Sequence, residues 1–234
     1  MKILDLKLRR GNLLKDVRFT VERMVNAGYA SRSQEKVWKH IEELKEKGVP
    51  APDEIPTLYP VASYLITTGN TIEVVEEDNS GEVEYVLLID KDDVYVGVGS
   101  DHTDRKLEAI SIVKAKQMCP NVISSVVWLY DDLKDHWDQL VLRSWVLRQG
   151  ERILYQEGDL GELLSASDLI SFVRKKMKGG DGKNLRNVVI YSGTIPIKTD
   201  RILAGEGFEA ELYDPVTKET LECKYNIELL DFIS

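Results

Sequence analysis

Apolar and charged residues alternate through KILDLKLRR and DVRFTVERMVNAGYA, within the first thirty residues. Period-two alternation puts successive side chains on opposite faces of a strand, so two or three strands are expected, with a turn at Gly11-Asn12. The period then lengthens. Val37, Ile41 and Leu44 recur at helical spacing, Ser31 and Gln34 have the capping-box separation, and Gly48 followed by Pro50 supplies a stop. A Pro-rich connector, VPAPDEIPTLYP, leads into a β-rich middle. There EVEYVLLI and DVYVGVGS flank Asp90-Lys91-Asp92-Asp93 as the arms of a hairpin would.

From Thr103 to Lys116 the pattern is helical or irregular, and from Gln139 to Tyr155 it is strand-like around Gln149-Gly150. Ser165 to Lys178 predicts a second good helix. Ser165 or Ser167 caps it, Leu169, Ile170, Phe172 and Val173 form its apolar face, and Gly179-Gly180 ends it. NVVIYSG adds a strand, and FEAELYD with TLECKYNIELL a last hairpin around Asp214-Pro215. Many short strands, two strong helical patterns and no βαβ alternation predict an α+β, mainly β fold.

The chain has 234 residues, room for one large domain or two small ones, and a single compact unit is the expectation. Lys plus Arg number 31 against 40 Asp plus Glu, a net charge of −9 that argues against nucleic acid as a partner. No apolar run approaches the ~18 residues of a membrane span, and no hydrophobic segment near Met1 reads as a signal peptide, so a cytoplasmic protein without a membrane partner is expected. Cys119 and Cys223 lie far apart without CxxC spacing and read as buried thiols. His40, His102 and His136 are the three histidines, the obvious candidates for proton transfer near neutral pH.

Four constellations could carry chemistry. Glu82 and Glu84 open an apolar strand and share one of its faces. Asp101 lies in the small-residue segment GVGSDHTDR at the end of the return strand, so the hairpin can bring it beside them. Three convergent oxygens with room for water suit Mg²⁺ or Mn²⁺, although Glu82 and Glu84 alone would also fit a solvated strand edge. His40 and Glu43, three apart on the first helix, are neighbours that could activate water or simply form a polar face. The segment Tyr191-Ser192-Gly193-Thr194-Ile195-Pro196 could hold a carboxylate through backbone N–H groups and the hydroxyls of Ser192 and Thr194, or be an ordinary turn.

The order and spacing of these pieces resemble the fumarylacetoacetate hydrolase superfamily, and more closely an uncharacterised bacterial and archaeal branch of it, from about Ala27 to Ile227. The resemblance is carried by GYASRSQEKVWKHIEE, PTLYPVASYL, GEVEYVLLI, DHTDR, AKQMCP, QEG, SASDLISFV, SGTIP and FEAELYDPVTKETLECKYNI. It implies a mixed β-sandwich roll with a few short helices over residues 27–234, preceded by a short β appendage at residues 1–26. It also implies that Glu82, Glu84 and Asp101 bind Mg²⁺ or Mn²⁺ and that His40, Glu43 and Lys116 are catalytic. Thr194, Gln156, Arg105 and Ser192 would contact substrate.

The activity implied is metal-dependent C–C bond hydrolysis of an acylpyruvate-like compound, or β-keto acid decarboxylation through the same metal-stabilised enolate. The substrate would be a small anionic 2-oxo acid or 1,3-dicarbonyl, and the assembly a homodimer. The chain departs from the family pattern: Pro60 replaces a usual lysine, Ile195 is inserted into the Gly-Thr-Pro turn, and the hairpin between Glu84 and Asp101 is short. The first keeps open a hydratase or lyase acting on a 2-oxo-alkenoate. A non-catalytic metal-binding scaffold is the reading from another class. His102, beside Asp101, could bind metal but is expected to support the site or be structural, and His136 is expected in a structural Asp-His-Trp corner.

Overall fold

The computed structural model describes residues 1–33, 35, 37–38, 41–42, 52, 54–178 and 185–233. Its strands are β1 (Lys2–Arg10), β2 (Leu13–Val21), β3 (Arg23–Gly28), β4 (Thr57–Val61), β5 (Ile66–Thr67), β6 (Thr71–Val74), β7 (Asn79–Ser80), β8 (Val83–Ile89), β9 (Val94–Asp101), β10 (Thr103–Asp104), β11 (Asn121–Ile123), β12 (Val126–Leu129), β13 (Val141–Arg148), β14 (Glu151–Asp159), β15 (Val188–Tyr191), β16 (Gly207–Asp214) and β17 (Glu219–Leu229). Helices are few and short, the longest regular one among the described residues being Ala166–Lys176. Ser165 starts it, its hydroxyl accepting the Asp168 N–H at 3.1 Å. The mainly β, α+β architecture expected from the alternation is therefore the one observed.

Two sheets do most of the packing. The larger runs β2-β1-β12-β9-β8-β15-β3-β4, with β11 joined to β9 and β5, and the smaller runs β14-β13-β16-β17-β6. Between them lie Val83, Tyr85 and Leu87 from β8, facing Leu142, Val146, Ala210 and Leu212, with Leu169 and Val173 of the helix closing one side. The opposite face of the large sheet, with Val86, Leu88, Tyr95 and Tyr191, packs on Leu4, Leu6, Phe19 and Val21 of the first hairpin. That hairpin is continuous with the large sheet, since β1 pairs in parallel with β12.

Strand β8 is thus buried on both faces along its whole length. Apolar side chains there each contribute about 1.5–3 kcal/mol by leaving water. Glu84 interrupts that run, and a buried carboxylate is costly unless it is paired. Packing does not account for it.

Residues Glu35, Val37, Trp38, Ile41 and Glu42 are helical, as their spacing predicts, and Val37 and Ile41 are buried. Gln34, His40, Glu43, Leu44, Gly48 and Pro50 lie outside the described residues, as do Gly179 and Gly180. The Asp-His-Trp corner is built from afar: His136 Nε2 is 3.0 Å from Asp214 Oδ2, at the end of β16, and the Trp137 ring meets Tyr85 edge-on at 5.0 Å. Cys119 and Cys223 are buried free thiols.

Candidate metal centre

The β8–β9 ladder extends one residue past β8, where the Asp101 N–H donates to the Glu82 carbonyl at 3.1 Å. Glu82 therefore sits across from Asp101, and Glu84, two residues on, pairs with Gly99. Strand parity turns all three carboxylates to the same side, that of Val86, Leu88 and Tyr95. One oxygen from each lies within 4.8 Å of the others. Glu84 and Asp101 are buried, and Glu82 is partly exposed.

Each carboxylate is held by one oxygen. Arg105 Nη1 donates to Glu82 Oε1 at 3.1 Å, the Gly193 N–H donates to Glu84 Oε2 at 2.9 Å, and the Lys116 ammonium is bonded to Asp101 Oδ2. The second oxygens are left over. Glu82 Oε2 has only a loose ion pair with Lys116 at 3.9 Å, and Asp101 Oδ1 is buried with no hydrogen-bonding partner among the described residues. Glycine is required at 193: its φ is +84°, and a Cβ there would stand 2.9 Å from the Ala27 carbonyl oxygen. In that conformation its N–H faces Glu84.

The charges are strongly coupled. Burial pushes the Glu84 carboxyl well above the usual carboxylate range, and the neighbouring Asp101 pushes it further than Lys116 can offset. Burial also penalises an ionised Glu82, but Arg105 and Lys116 outweigh it and hold Glu82 below its ordinary value. Lys116 is buried too, which alone would favour loss of its proton, yet Asp101, Glu82 and Glu84 around it keep it firmly charged. Crowded carboxylates with one oxygen pinned and another presented are what a hard divalent cation needs, since it takes oxygen ligands whose other atoms are fixed by hydrogen bonds. The residues present fit Mg²⁺, Mn²⁺ or Ca²⁺.

Arg105, expected from the sequence as a substrate contact, lies behind Glu82. Its guanidinium reaches Ser80 Oγ at 2.8 Å and Glu108 at 2.7 Å as well as Glu82. Gln156 uses its whole amide internally: Oε1 accepts from the Val83 N–H and Ser144, and Nε2 donates to Thr194 Oγ1 and the Ile195 carbonyl. Thr194 passes the connection on, donating to the Val83 carbonyl at 2.7 Å, while buried Ser192 donates to the Gly193 carbonyl. Gln156 and Thr194 thus tie the Gly193 turn to the start of β8.

Lys116 follows the short helix Ile112–Ala115 and lies 5.8 Å from the centroid of the Tyr59 ring. Pro60, next to Tyr59, is exposed and contributes its carbonyl to Gln117 Nε2. His40 and Glu43 fall outside the described residues. Sequence reasoning also passed over two asparagines, Asn26 and Asn121, that are fully buried and whose side-chain amides have no hydrogen-bonding partner among the described residues. An Asn in an otherwise apolar strand segment was the available signal.

The fold and site can be set beside known proteins. The family model described as "Protein of unknown function (DUF2848)" matches residues 27–225. No curated protein matches the sequence. Among solved structures, a 2-keto-3-deoxyarabinonate dehydratase superposes with a TM-score of 0.67 at 15% identity, covering 94% of this chain and 78% of that one. The fumarylacetoacetate hydrolase of Exiguobacterium antarcticum gives 0.60 at 13% identity, with 94% and 80% covered. The 4-oxalocrotonate decarboxylase of Pseudomonas putida G7, solved with calcium and acetate, gives 0.54 at 11% identity, with 87% and 76% covered. With the fold of the fumarylacetoacetate hydrolase superfamily and a family match over most of its length, the chain belongs to the DUF2848 family of proteins of unknown function.

Proposed function

We propose that the chain is a divalent-cation-dependent enzyme acting on a small 2-oxo acid or 1,3-dicarbonyl compound, with C–C bond hydrolysis or β-keto acid decarboxylation as its reaction. The observation that carries this reading is the trio Glu82, Glu84 and Asp101, each pinned through one oxygen, around a buried and charged Lys116. The dehydratase of like fold has been solved with magnesium and 2,5-dioxopentanoate and the decarboxylase with calcium and acetate, which supports a cation at the corresponding place. Bound there, the cation supplies Lewis acidity toward a substrate's carboxylate and adjacent ketone oxygens.

The protein's own groups then have defined tasks. Lys116, kept protonated by its carboxylate neighbours, places a positive charge beside the oxygen on which negative charge develops as the C–C bond breaks. Arg105 and Gly193 fix Glu82 and Glu84 so that neither swings away when substrate enters. The Gln156–Thr194 clamp holds the turn that carries Gly193. For acylpyruvate hydrolysis, His40 and Glu43 supply the base that takes a proton from water, the water oxygen attacks the distal carbonyl carbon, and the C–C bond breaks. The electron pair passes to the pyruvate enolate, which regains a proton at carbon, leaving one carboxylate and pyruvate.

A hydratase or lyase on a 2-oxo-alkenoate is the second reading. It is favoured by Pro60 in place of a cation and by the fold likeness to the dehydratase. The experiment is thermal unfolding with Mg²⁺, Mn²⁺ or chelator, followed by a panel of oxaloacetate, acylpyruvates and 2-oxo-alkenoates. A rise in melting temperature with cation, and cation-dependent turnover on one substrate class, is the expected result. A transition that no cation moves would overturn the metal reading, whereas cation binding without turnover on any of them would leave a scaffold role.

A further inference from the structure

Asn121 stands beside the carboxylates in a place that apolar packing does not explain. It opens β11, pairs directly with Asp101 across the sheet, and is fully buried. Along β11 the faces alternate: Val122 packs in the core between the sheets and Ile123 in the cluster beneath the first hairpin. Asn121 therefore shares the face of Ile123, which is also the face of Glu84 and Asp101. Directly opposed residues on one face hold their Cβ atoms about 4.5–5.5 Å apart, near enough for one ion or one water to touch both side chains. Neither polar atom of the Asn121 amide has a hydrogen-bonding partner among the described residues, and neither does Asp101 Oδ1 opposite it.

Such a group is expensive. A buried polar atom left unpaired costs about 1–3 kcal/mol, and native proteins leave very few. A leucine at 121 would continue the apolar surface of Ile66 and Ile123 at no such cost. The amide is therefore best accounted for by a ligand that meets it and the free Asp101 oxygen together.

We propose that Asn121 is a fourth member of the cation site, its amide oxygen serving as a neutral donor to the coordination sphere that Glu82, Glu84 and Asp101 begin. This rests on the metal reading above. The choice of an amide over a fourth carboxylate follows from the charge already present: three carboxylates converge there, and a further negative group would add to their mutual repulsion. An amide oxygen is a hard ligand of the kind Mg²⁺, Mn²⁺ and Ca²⁺ accept, and it adds none.

The test uses the full-length protein, stripped with chelator, and Mn²⁺ as the probe. Calorimetric titration with MnCl₂ is compared for the parent, Asn121→Leu, Asn121→Ala and Glu84→Gln, alongside melting temperatures with and without Mn²⁺. The expected result has two parts. The cation-free Asn121→Leu protein melts at or above the parent temperature, because an unpaired buried amide has gone. Its Mn²⁺ dissociation constant rises at least tenfold and most of the Mn²⁺-induced stabilisation is lost, with Asn121→Ala weakening binding to a similar extent. If the leucine variant fails to fold, the alanine variant carries the test. A dissociation constant within twofold of the parent, while Glu84→Gln abolishes binding, would overturn the role of Asn121 and leave the metal reading standing. If the parent itself binds no Mn²⁺, both fall together.

Discussion

Asp101 and His102 are chain neighbours whose side chains enter two different polar clusters, and the clusters differ in how completely they are hydrogen-bonded. On the His102 side the bonds close: Nδ1 lies 2.9 Å from Tyr225 Oη, Nε2 lies 2.7 Å from Asn79 Oδ1, and Tyr225 Oη is 2.8 Å from Ser100 Oγ. Ser100 in turn accepts the Glu82 backbone N–H at 3.2 Å. On the Asp101 side, one carboxylate oxygen and both polar atoms of Asn121 remain without protein partners among the described residues. Both clusters are buried and both contain residues able to ligate a metal. Saturation distinguishes them: a completed network specifies and rigidifies the fold, whereas leftover capacity in a buried cluster points to a ligand.

The largest test of that contrast is Glu84→Gln. It should abolish Mn²⁺-induced stabilisation and any turnover, while the cation-free protein melts no lower than the parent because a crowded buried carboxylate has become neutral. Titration calorimetry and melting curves read both, and retained Mn²⁺ binding would break the assignment of the open cluster to a cation. Lys116→Met comes next. Removing one partner of a buried ion pair should cost about 3–5 kcal/mol of stability in denaturant unfolding. Turnover should fall by roughly 10²–10³-fold, the scale of losing one preorganised group beside a developing oxyanion. Mn²⁺ affinity should persist or increase, since a competing cation is gone.

The closed cluster should respond differently. His102→Leu is expected to lower stability by about 1–3 kcal/mol by orphaning Asn79 and Tyr225, with Mn²⁺ affinity changed less than threefold. A pH series in chelator sharpens this. Burial, reinforced by Arg105, lowers the His102 pKa to about 3, so below pH ~6.5 the unfolded chain takes up a proton at this ring that the folded chain refuses. Its contribution to stability is therefore fully present above pH ~6.5 and is lost as pH falls toward 3. Removing the imidazole should flatten that part of the profile, and an unchanged slope would contradict its burial as a neutral ring.

The smallest effect is expected from Thr194→Val, which takes a hydroxyl out of the Gln156 clamp. A loss of about 1 kcal/mol in stability with KM unaltered would place Thr194 with the completed framework. A raised KM without that loss would move it to the substrate side.

How much was visible beforehand depends on the kind of contact. Parity alone placed Glu82 and Glu84 on one face, and the hairpin around Asp90–Asp93 brought Asp101 to them, because both inferences use only local period and chain connectivity. Lys116 entered through family resemblance, since nothing in its own short helical stretch sets it apart. The pairing of Arg105 with Glu82, the Gln156 clamp and the His102 network were not legible, because their partners come from distant segments whose register no local pattern reveals. His102 illustrates this: its two partners lie 23 and 123 residues away.

By itself, then, the sequence determined the strand and helix segments, the faces their side chains take and the clustering of the two glutamates. These follow from backbone geometry and from the tendency of apolar side chains to leave water, both local properties. Tertiary structure alone decided which buried polar groups are satisfied and which are left with capacity to spare. Hydrogen bonds are short and directional, so whether a buried amide or carboxylate is complete depends on atoms from remote segments arriving within about 3 Å. Among the described residues none arrives at Asp101 Oδ1 or at the Asn121 amide, and that spare capacity is what marks the site.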